Sequence, residues 1–340
     1  MSKLFLYNDT DITRIINNGL IGSYLFICYD INVESMKYLS EIIKHNKKIN
    51  YLELDYNINA ESMKYLSEAI KYNRTIKHLY LACNMNIETM KYLSNNAIKH
   101  NKSIKCIYLA HNINAESMKY LSEAIKYNNT ITKLFLSDIN AESTKYLSKA
   151  IKENKSIIYL ALMGDVNAES MKYLSNGIKG NKTITKLELY FDISSESMKY
   201  LSKAIKYSQT ITCLKMICNI IAISMKYLSE AIKVNQTITD LILYCNLNMK
   251  SMKHLCNGLK SNKKIRKLDL SQVEEENSSG FTFFNSKYYD ENSIKCILKS
   301  LEYNKTITNL DIRCNNKLYM NYLNKMLSMN RRLSIYEIED

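Results

Sequence analysis

Proline does not occur in this sequence of 340 residues, although average usage of about 5% would place about 17 in a chain of this length. Glycine is almost as scarce, with seven. Together these absences exclude collagen-like, proline-rich and glycine/serine-linker readings, and they leave no break in composition at which to divide the chain. No stretch approaches the roughly 18 uninterrupted apolar residues of a membrane span. The first twenty residues carry Lys3, Asp9, Asp11 and Arg14 and lack the apolar core of a signal peptide. The nine cysteines are odd in number and contain no C-x-x-C pair, so no disulfide framework is indicated. A cytoplasmic, monomeric protein is expected. What is present suffices for a continuous core: 46% hydrophobic and 24% charged residues argue against wholesale disorder, and 47 basic against 33 acidic residues give +14.

The dominant feature is self-similarity. The string AESMKYLSEAIKYN at 60–73 recurs unchanged at 115–128. Its methionine marks a register at Met36, Met63, Met90, Met118, Thr144, Met171, Met198, Met225, Met252, Ile294 and Met320, with spacings of 27, 27, 28, 26, 27, 27, 27, 27, 42 and 26. The 28 reflects an extra asparagine at Asn95–Asn96, the 26 a shortened loop at Asp138–Asn140, and the 42 one unit plus fifteen inserted residues. Within a unit, Met63, Leu66 and Ile70 follow the i, i+3, i+7 spacing of an amphipathic helix. Asn59 stands where an N-cap would accept first-turn amides, and Glu61 complements the positive end of the helix. Asn73 and its counterparts are expected in a left-handed position after the helix. Ile76, Leu79 and Leu81 then alternate as a short strand with one buried face. Strands joined by one recurring helix must run parallel. The expectation is a single α/β solenoid over 1–340. It would have an N-terminal cap over 1–21 (a strand at Leu4–Leu6 and a helix after Asp9) and about a dozen repeats over 22–338. An insertion over 271–289 would interrupt the array, and a strand near Leu333–Ile338 would close it.

The spacing L-x-x-L-x-L-x-x-N stands here as Ile49, Leu52, Leu54 and Asn57, as Ile104, Ile107, Leu109 and Asn112, and as Ile238, Leu241, Leu243 and Asn246. In this the chain resembles the leucine-rich repeat proteins, and a full helix in each unit makes it similar to their ribonuclease-inhibitor-like class. The resemblance runs from about Leu25 to Ile338. It implies a curved α/β leucine-rich repeat solenoid with the parallel sheet on the concave side and helices outside, used for binding.

Alternation along each strand predicts which side chains face away from the helices. The central position reads Phe26, Glu53, Tyr80, Tyr108, Phe135, Ala161, Glu188, Lys215, Ile242, Asp269 and Asp311. The position two residues earlier reads Tyr24, Tyr51, His78, Cys106, Lys133, Tyr159, Lys186, Cys213, Asp240, Lys267 and Asn309. The first half is an aromatic track and the second a mixed-charge track. Exposed aromatics gathered on one surface are typical of interface cores. The residues expected to meet an unidentified protein partner are Tyr24, Phe26, Tyr51, Tyr80, Tyr108, Phe135, Tyr159, Lys186, Glu188 and Lys215. Phe281, Phe283 and Phe284 in the insertion are a second candidate contact.

The helices add two columns of lysine, of which Lys64 and Lys71 are one pair. They suit RNA, DNA or an acidic surface, and polyanion binding is the alternative function. Against it, Glu61 and Glu68 lie within pairing reach of Lys64. Arginine, the better phosphate reader, numbers six against 41 lysines. No enzyme, cofactor or metal is expected. GIKGNKT at 177–183 lacks the adjacent Gly-Lys pair of a phosphate loop and joins a helix to a strand. His78 and Cys106 could form a dyad across neighbouring strands, but an open sheet excludes little water. The Asn-x-Ser/Thr triplets beginning at Asn73, Asn101 and Asn128 recur because the turn wants asparagine, and they are read as structural.

Overall fold

The computed structural model describes residues 3–7, 22–82, 85–110, 113–137, 139–164, 166–270, 289–313 and 316–336. The chain packs as two compact units, Met1–Asp165 and Val166–Asp340. Each is an α/β solenoid repeat of parallel strands alternating with helices. The first unit holds β1 (Lys3–Leu6), β2 (Tyr24–Ile27), β3 (Tyr51–Leu54), β4 (His78–Leu81), β5 (Cys106–Leu109), β6 (Lys133–Leu136) and β7 (Tyr159–Met163). These pair parallel in chain order, with Leu25, Leu52, Leu79, Ile107, Leu134 and Leu160 in one register. Its described helices are α1 (Val33–His45), α2 (Ala60–Tyr72), α3 (Ile87–Tyr92, continued by a π-helical turn at Leu93–Ile98), α4 (Ala115–Tyr127) and α5 (Ala141–Glu153).

The second unit holds β8 (Lys186–Tyr190), β9 (Cys213–Ile217), β10 (Asp240–Tyr244), β11 (Lys267–Asp269) and β12 (Asn309–Asp311), also parallel in chain order. Its helices are α6 (Ala168–Gly180), α7 (Ser195–Tyr207), α8 (Ala222–Val234), α9 (Met249–Ser261), α10 (Glu291–Leu301) and α11 (Lys317–Tyr336). No helix among the described residues is long and apolar enough to cross a membrane.

Local chemistry accounts for each repeat. The helix stripe Met63, Leu66 and Ile70 and the strand residues Leu52 and Leu54 are all fully buried, so each rung removes a continuous apolar layer from water. The Asn59 side chain accepts from Ser62 N at 2.8 Å, as an N-cap should. Ser194 does this for α7 and Asp290 for α10, whereas α8 begins at Ile221 with no side-chain cap bond. The extra residue in the 28-residue unit is absorbed as the π-helical turn Leu93–Ile98. That keeps the apolar stripe in register on both sides of it.

The asparagine after each helix differs from expectation. Asn73 has φ −62° and ψ 136°, which is extended rather than left-handed. Its side chain explains why. Asn73 Nδ2 donates to the carbonyls of Ile43 (2.7 Å) and Asn46 (3.0 Å) in the preceding rung. Its Oδ1 accepts from the amides of Thr75 and Ile76, both at 2.8 Å. Asn101, Asn128, Asn154, Asn262 and Asn304 repeat this four-bond pattern. The result is a ladder of buried asparagines in which each one holds the end of the previous helix. By contrast Asn57 and Asn246, which close the strand motif, are exposed, while Cys218 and Cys245 one place earlier in that loop are buried.

One rung departs from the ladder. Ser208 stands in the asparagine position and accepts from Thr210 N at 3.4 Å and Ile211 N at 3.2 Å, too short to reach back as asparagine does. Ser208→Asn should add donors toward Ile178 and Asn181. It should raise stability by about 1–2 kcal/mol, the worth of one or two buried hydrogen bonds, read as a higher urea midpoint.

A second rung is pinched. A Cβ on Gly258 of α9 would lie 2.6 Å from Ser229 Oγ and 2.7 Å from the Ser229 carbonyl oxygen on α8. Alanine would gain about 1 kcal/mol of helix propensity. It would also overpack a backbone contact that cannot swing away, at a cost of about 1–3 kcal/mol. Gly258→Ala is therefore expected to lower the unfolding midpoint, and an unchanged or higher midpoint would show that the two helices separate freely.

The chain ends differently from the expected strand at Leu333–Ile338. α11 runs through Tyr336. Leu323 and Leu327 are buried at helical spacing, and a helix satisfies its own backbone. The helix expected after Asp9 lies outside the described residues, as does the insertion except for Tyr289. That residue is buried, and its amide donates to Arg313 O at 3.0 Å.

Candidate strand-face interface

Pairing register places Tyr24 beside Tyr51 and Tyr51 beside His78, with Tyr80 beside Tyr108 and Tyr108 beside Phe135. Parallel in-register strands put equivalent side chains about 4.8 Å apart, so flat rings stack. The Tyr24 and Tyr51 rings lie 4.5 Å apart with a 13° interplanar angle, and Tyr51 stacks on His78 at 5.6 Å. In the central file Tyr80 stacks on Tyr108 at 4.3 Å and 10°, Tyr108 lies 5.8 Å from Phe135, and Phe135 meets Tyr159 edge-on at 4.9 Å. The tyrosine and phenylalanine rings are half-buried and His78 is exposed. They pack on each other along the sheet and leave their outer edges open.

Phe26 belongs to the same face but contacts Phe5 of β1, edge-on at 5.5 Å. Sequence reasoning missed Phe5, although its strand KLFL at 3–6 is identical to KLFL at 133–136. Glu53 interrupts the central file and accepts a hydrogen bond from the Tyr24 hydroxyl. Burial pushes the Tyr51 and Tyr80 phenols up to about 12, with Glu53 adding to the effect at Tyr51 and Tyr108 at Tyr80. Burial and the Glu53 contact raise Tyr24 as well. These phenols therefore stay neutral at physiological pH, and the face offers rings and hydroxyls in place of phenolate charge.

The second unit carries the mixed-charge track, and its charges engage one another. Lys186 Nζ lies 2.9 Å from Glu188 Oε1, and the Tyr190 hydroxyl donates to the same carboxylate. Glu188 is only 3% exposed because these longer side chains cover it. Lys215 Nζ sits over two rings, Tyr190 at 5.5 Å and Tyr244 at 5.1 Å. Tyr244 in turn donates to Asp269 at 3.0 Å. Tyr190 and Tyr244 were not singled out from sequence, since they lie one strand position beyond the alternation used. The five-residue strands β8 and β10 bring that position onto the face. Phe281, Phe283 and Phe284 lie outside the described residues.

His78 and Cys106 are register partners, yet they are not prepared as a thiolate–imidazolium pair. Burial raises the Cys106 thiol, while burial and the neighbouring Lys133 lower His78. Both shifts favour the uncharged forms. Asn73, Asn101 and Asn128 spend their amides on the ladder and are buried, so these triplets serve the turn.

On the helical side many lysines are engaged. Lys71 lies 3.5 Å from Glu68 and over the Tyr72 ring at 4.9 Å. Lys126 pairs with Glu153 of the next helix at 3.0 Å and sits over Tyr127 at 5.1 Å. Lys179 and Lys206 both approach the Tyr207 ring, at 4.9 and 5.4 Å. Lys64, by contrast, is exposed.

No protein-family model matches the chain, and no curated protein matches it. Solved structures similar to it at low identity include the following two. One is the actin-binding site 2 of leiomodin-1, 16% identical over 52% of this chain and 91% of that chain, with a TM-score of 0.32. The other is the yeast Rad7–Elc1 complex, where the match is 17% identical over 94% of this chain and 77% of that chain, with a TM-score of 0.46. At this distance neither assigns a family or a function.

Proposed function

We propose that the protein is a non-enzymatic interaction scaffold that binds a protein partner through the open strand face of the Met1–Asp165 unit. The supporting observation is the file Tyr80, Tyr108, Phe135 and Tyr159, whose half-exposed rings are held rigid by mutual contact. Rigid aromatics bury large area at little cost in conformational entropy, which is why they dominate binding hot spots. Lys186, Glu188 and Lys215 on the second unit are read as a polar contact area, with Glu188 the least accessible of the three. The scaffold acts as a single copy in the cytoplasm and needs no cofactor.

Affinity capture from native lysate tests this reading. Wild-type protein is compared with a folded Tyr80→Ser, Tyr108→Ser, Phe135→Ser variant, each with and without nuclease. A specific protein lost only with the variant is the expected result. Capture that ignores the variant but disappears with nuclease or moderate salt would transfer the function to the lysine columns.

A further inference from the structure

Strand β3 reads YLEL and strand β8 begins KLEL, so one carboxylate position occurs twice with its neighbour changed. In the second unit the chain supplies the counter-charge itself. Lys186, two residues before Glu188 on the same face, lies 2.9 Å from it, and the Tyr190 hydroxyl also donates to it. Glu188 is left 3% exposed. In the first unit Tyr51 takes the place of that lysine, and the exposed Asp55 takes the place of Tyr190. Glu53 keeps one phenol, the Tyr24 hydroxyl, and is half-buried. Among the described residues no lysine, arginine or histidine is ion-paired with Glu53. Lys3 of β1 lies instead over the Tyr24 ring, at 5.4 Å.

We propose that Glu53 is the docking point for one basic side chain, lysine or arginine, of the protein partner that covers the aromatic face. The proposal rests on the strand-face reading above and adds the chemistry of the partner. Phe26 and Tyr80 are the register neighbours of Glu53 on either side. Tyr80 stacks one face on Tyr108, so its other face is turned toward the Glu53 strand. A cation held on the carboxylate stands about one strand spacing, about 4.8 Å, from that face. This is inside the reach of about 6 Å at which a cation is attracted to an aromatic ring. Lys215 of the second unit already sits in this way over Tyr190 and Tyr244.

Desolvation makes the counter-charge necessary. A partner laid over Tyr80 also covers Glu53, and an apolar surface would strip water from the carboxylate and return nothing. The charge is felt locally, since Glu53 contributes to raising the phenols of Tyr24, Tyr51 and Tyr80. Those phenols stay neutral, so the negative charge of this notch is that of Glu53, with Asp55 two residues further along β3.

The test titrates the full chain, carrying ¹³C-labelled tyrosine, with n-butylguanidinium chloride at fixed ionic strength. Sodium butyrate is the oppositely charged control, and Tyr24→Phe and Tyr80→Phe assign the two NMR signals. Saturable shifts at Tyr24 and Tyr80 are expected with the cation and none with butyrate. Glu53→Gln keeps the shape and removes the charge, and it should weaken the cation at least about tenfold. Tyr51→Lys copies the β8 arrangement into β3 and should weaken it likewise. The proposal is overturned if wild type shows no saturable shift, if butyrate gives the same shifts, or if Glu53→Gln binds the cation as wild type does. The wild-type titrations decide even where a variant fails to fold. A captured partner separates this proposal from the reading beneath it. If the Tyr80→Ser, Tyr108→Ser, Phe135→Ser variant loses the partner while Glu53→Gln holds it at wild-type affinity, the basic contact is wrong and the aromatic face stands. If both variants hold the partner, both are wrong.

Discussion

Replacing Asn73 with alanine is expected to remove about 2–4 kcal/mol of stability, because two buried and two part-buried hydrogen bonds are lost at once. The carbonyl of Ile43 keeps only the longer bond from the Asn46 amide, that of Asn46 keeps only the Thr75 hydroxyl, and the amides of Thr75 and Ile76 lose their side-chain acceptor. Each unmet buried group costs about 1–3 kcal/mol, reduced where water can enter, and the side chain itself is 0% exposed. Asn73→Asp separates the two halves of the effect. It keeps the acceptor for Thr75 and Ile76 but aims a second oxygen at two carbonyl oxygens, so a large loss is expected there too. Urea unfolding of both variants is the measurement. If the aspartate variant matched wild type, the contact between rungs would carry no stability and the ladder would be a local turn device alone.

The triple variant Tyr80→Ser, Tyr108→Ser, Phe135→Ser should weaken partner binding by at least about a hundredfold. Truncating a central aromatic at an interface commonly costs about 1–2 kcal/mol or more, and every 1.4 kcal/mol is about tenfold in affinity. The same residues also pack against each other, but stacked pairs contribute only about 0.5–1.5 kcal/mol each beyond their buried area. Their strand neighbours Leu79, Ile107 and Leu134 are buried on the opposite, core-facing side of the sheet. Binding should therefore suffer far more than folding. An unfolding curve recorded on the variant separates the two, and a folded variant that holds the partner at wild-type affinity would rule out this face.

Much of this was legible in the sequence because the chain repeats. Met63, Leu66 and Ile70, or Leu79 and Leu81, recur so often that helix, strand and buried face follow from spacing alone. Asn59 and its equivalents could be read as caps because that role is local: the side chain serves amides two or three residues away. Asn73 misled for the same reason. Half of its bonding is to residues 27 and 30 positions earlier, and no local pattern distinguishes an asparagine that ends a helix from one that also ties it to the previous rung. The extra residue at Asn95–Asn96 was visible as a count, but only the structure shows it wound into a π turn.

The sequence by itself determined the repeat, the parallel order of strands, the N-caps and the aromatic character of one strand face, since these depend on periodicity and on groups near each other in the chain. Tertiary structure decided how far each exposed position is covered, and that depends on the reach of neighbouring side chains. Glu188 was read as open, yet Lys186 and Tyr190 close over it. Tyr190 and Tyr244 were passed over, yet they flank Lys215. The ladder is of the same kind: it forms only when one rung is stacked on another.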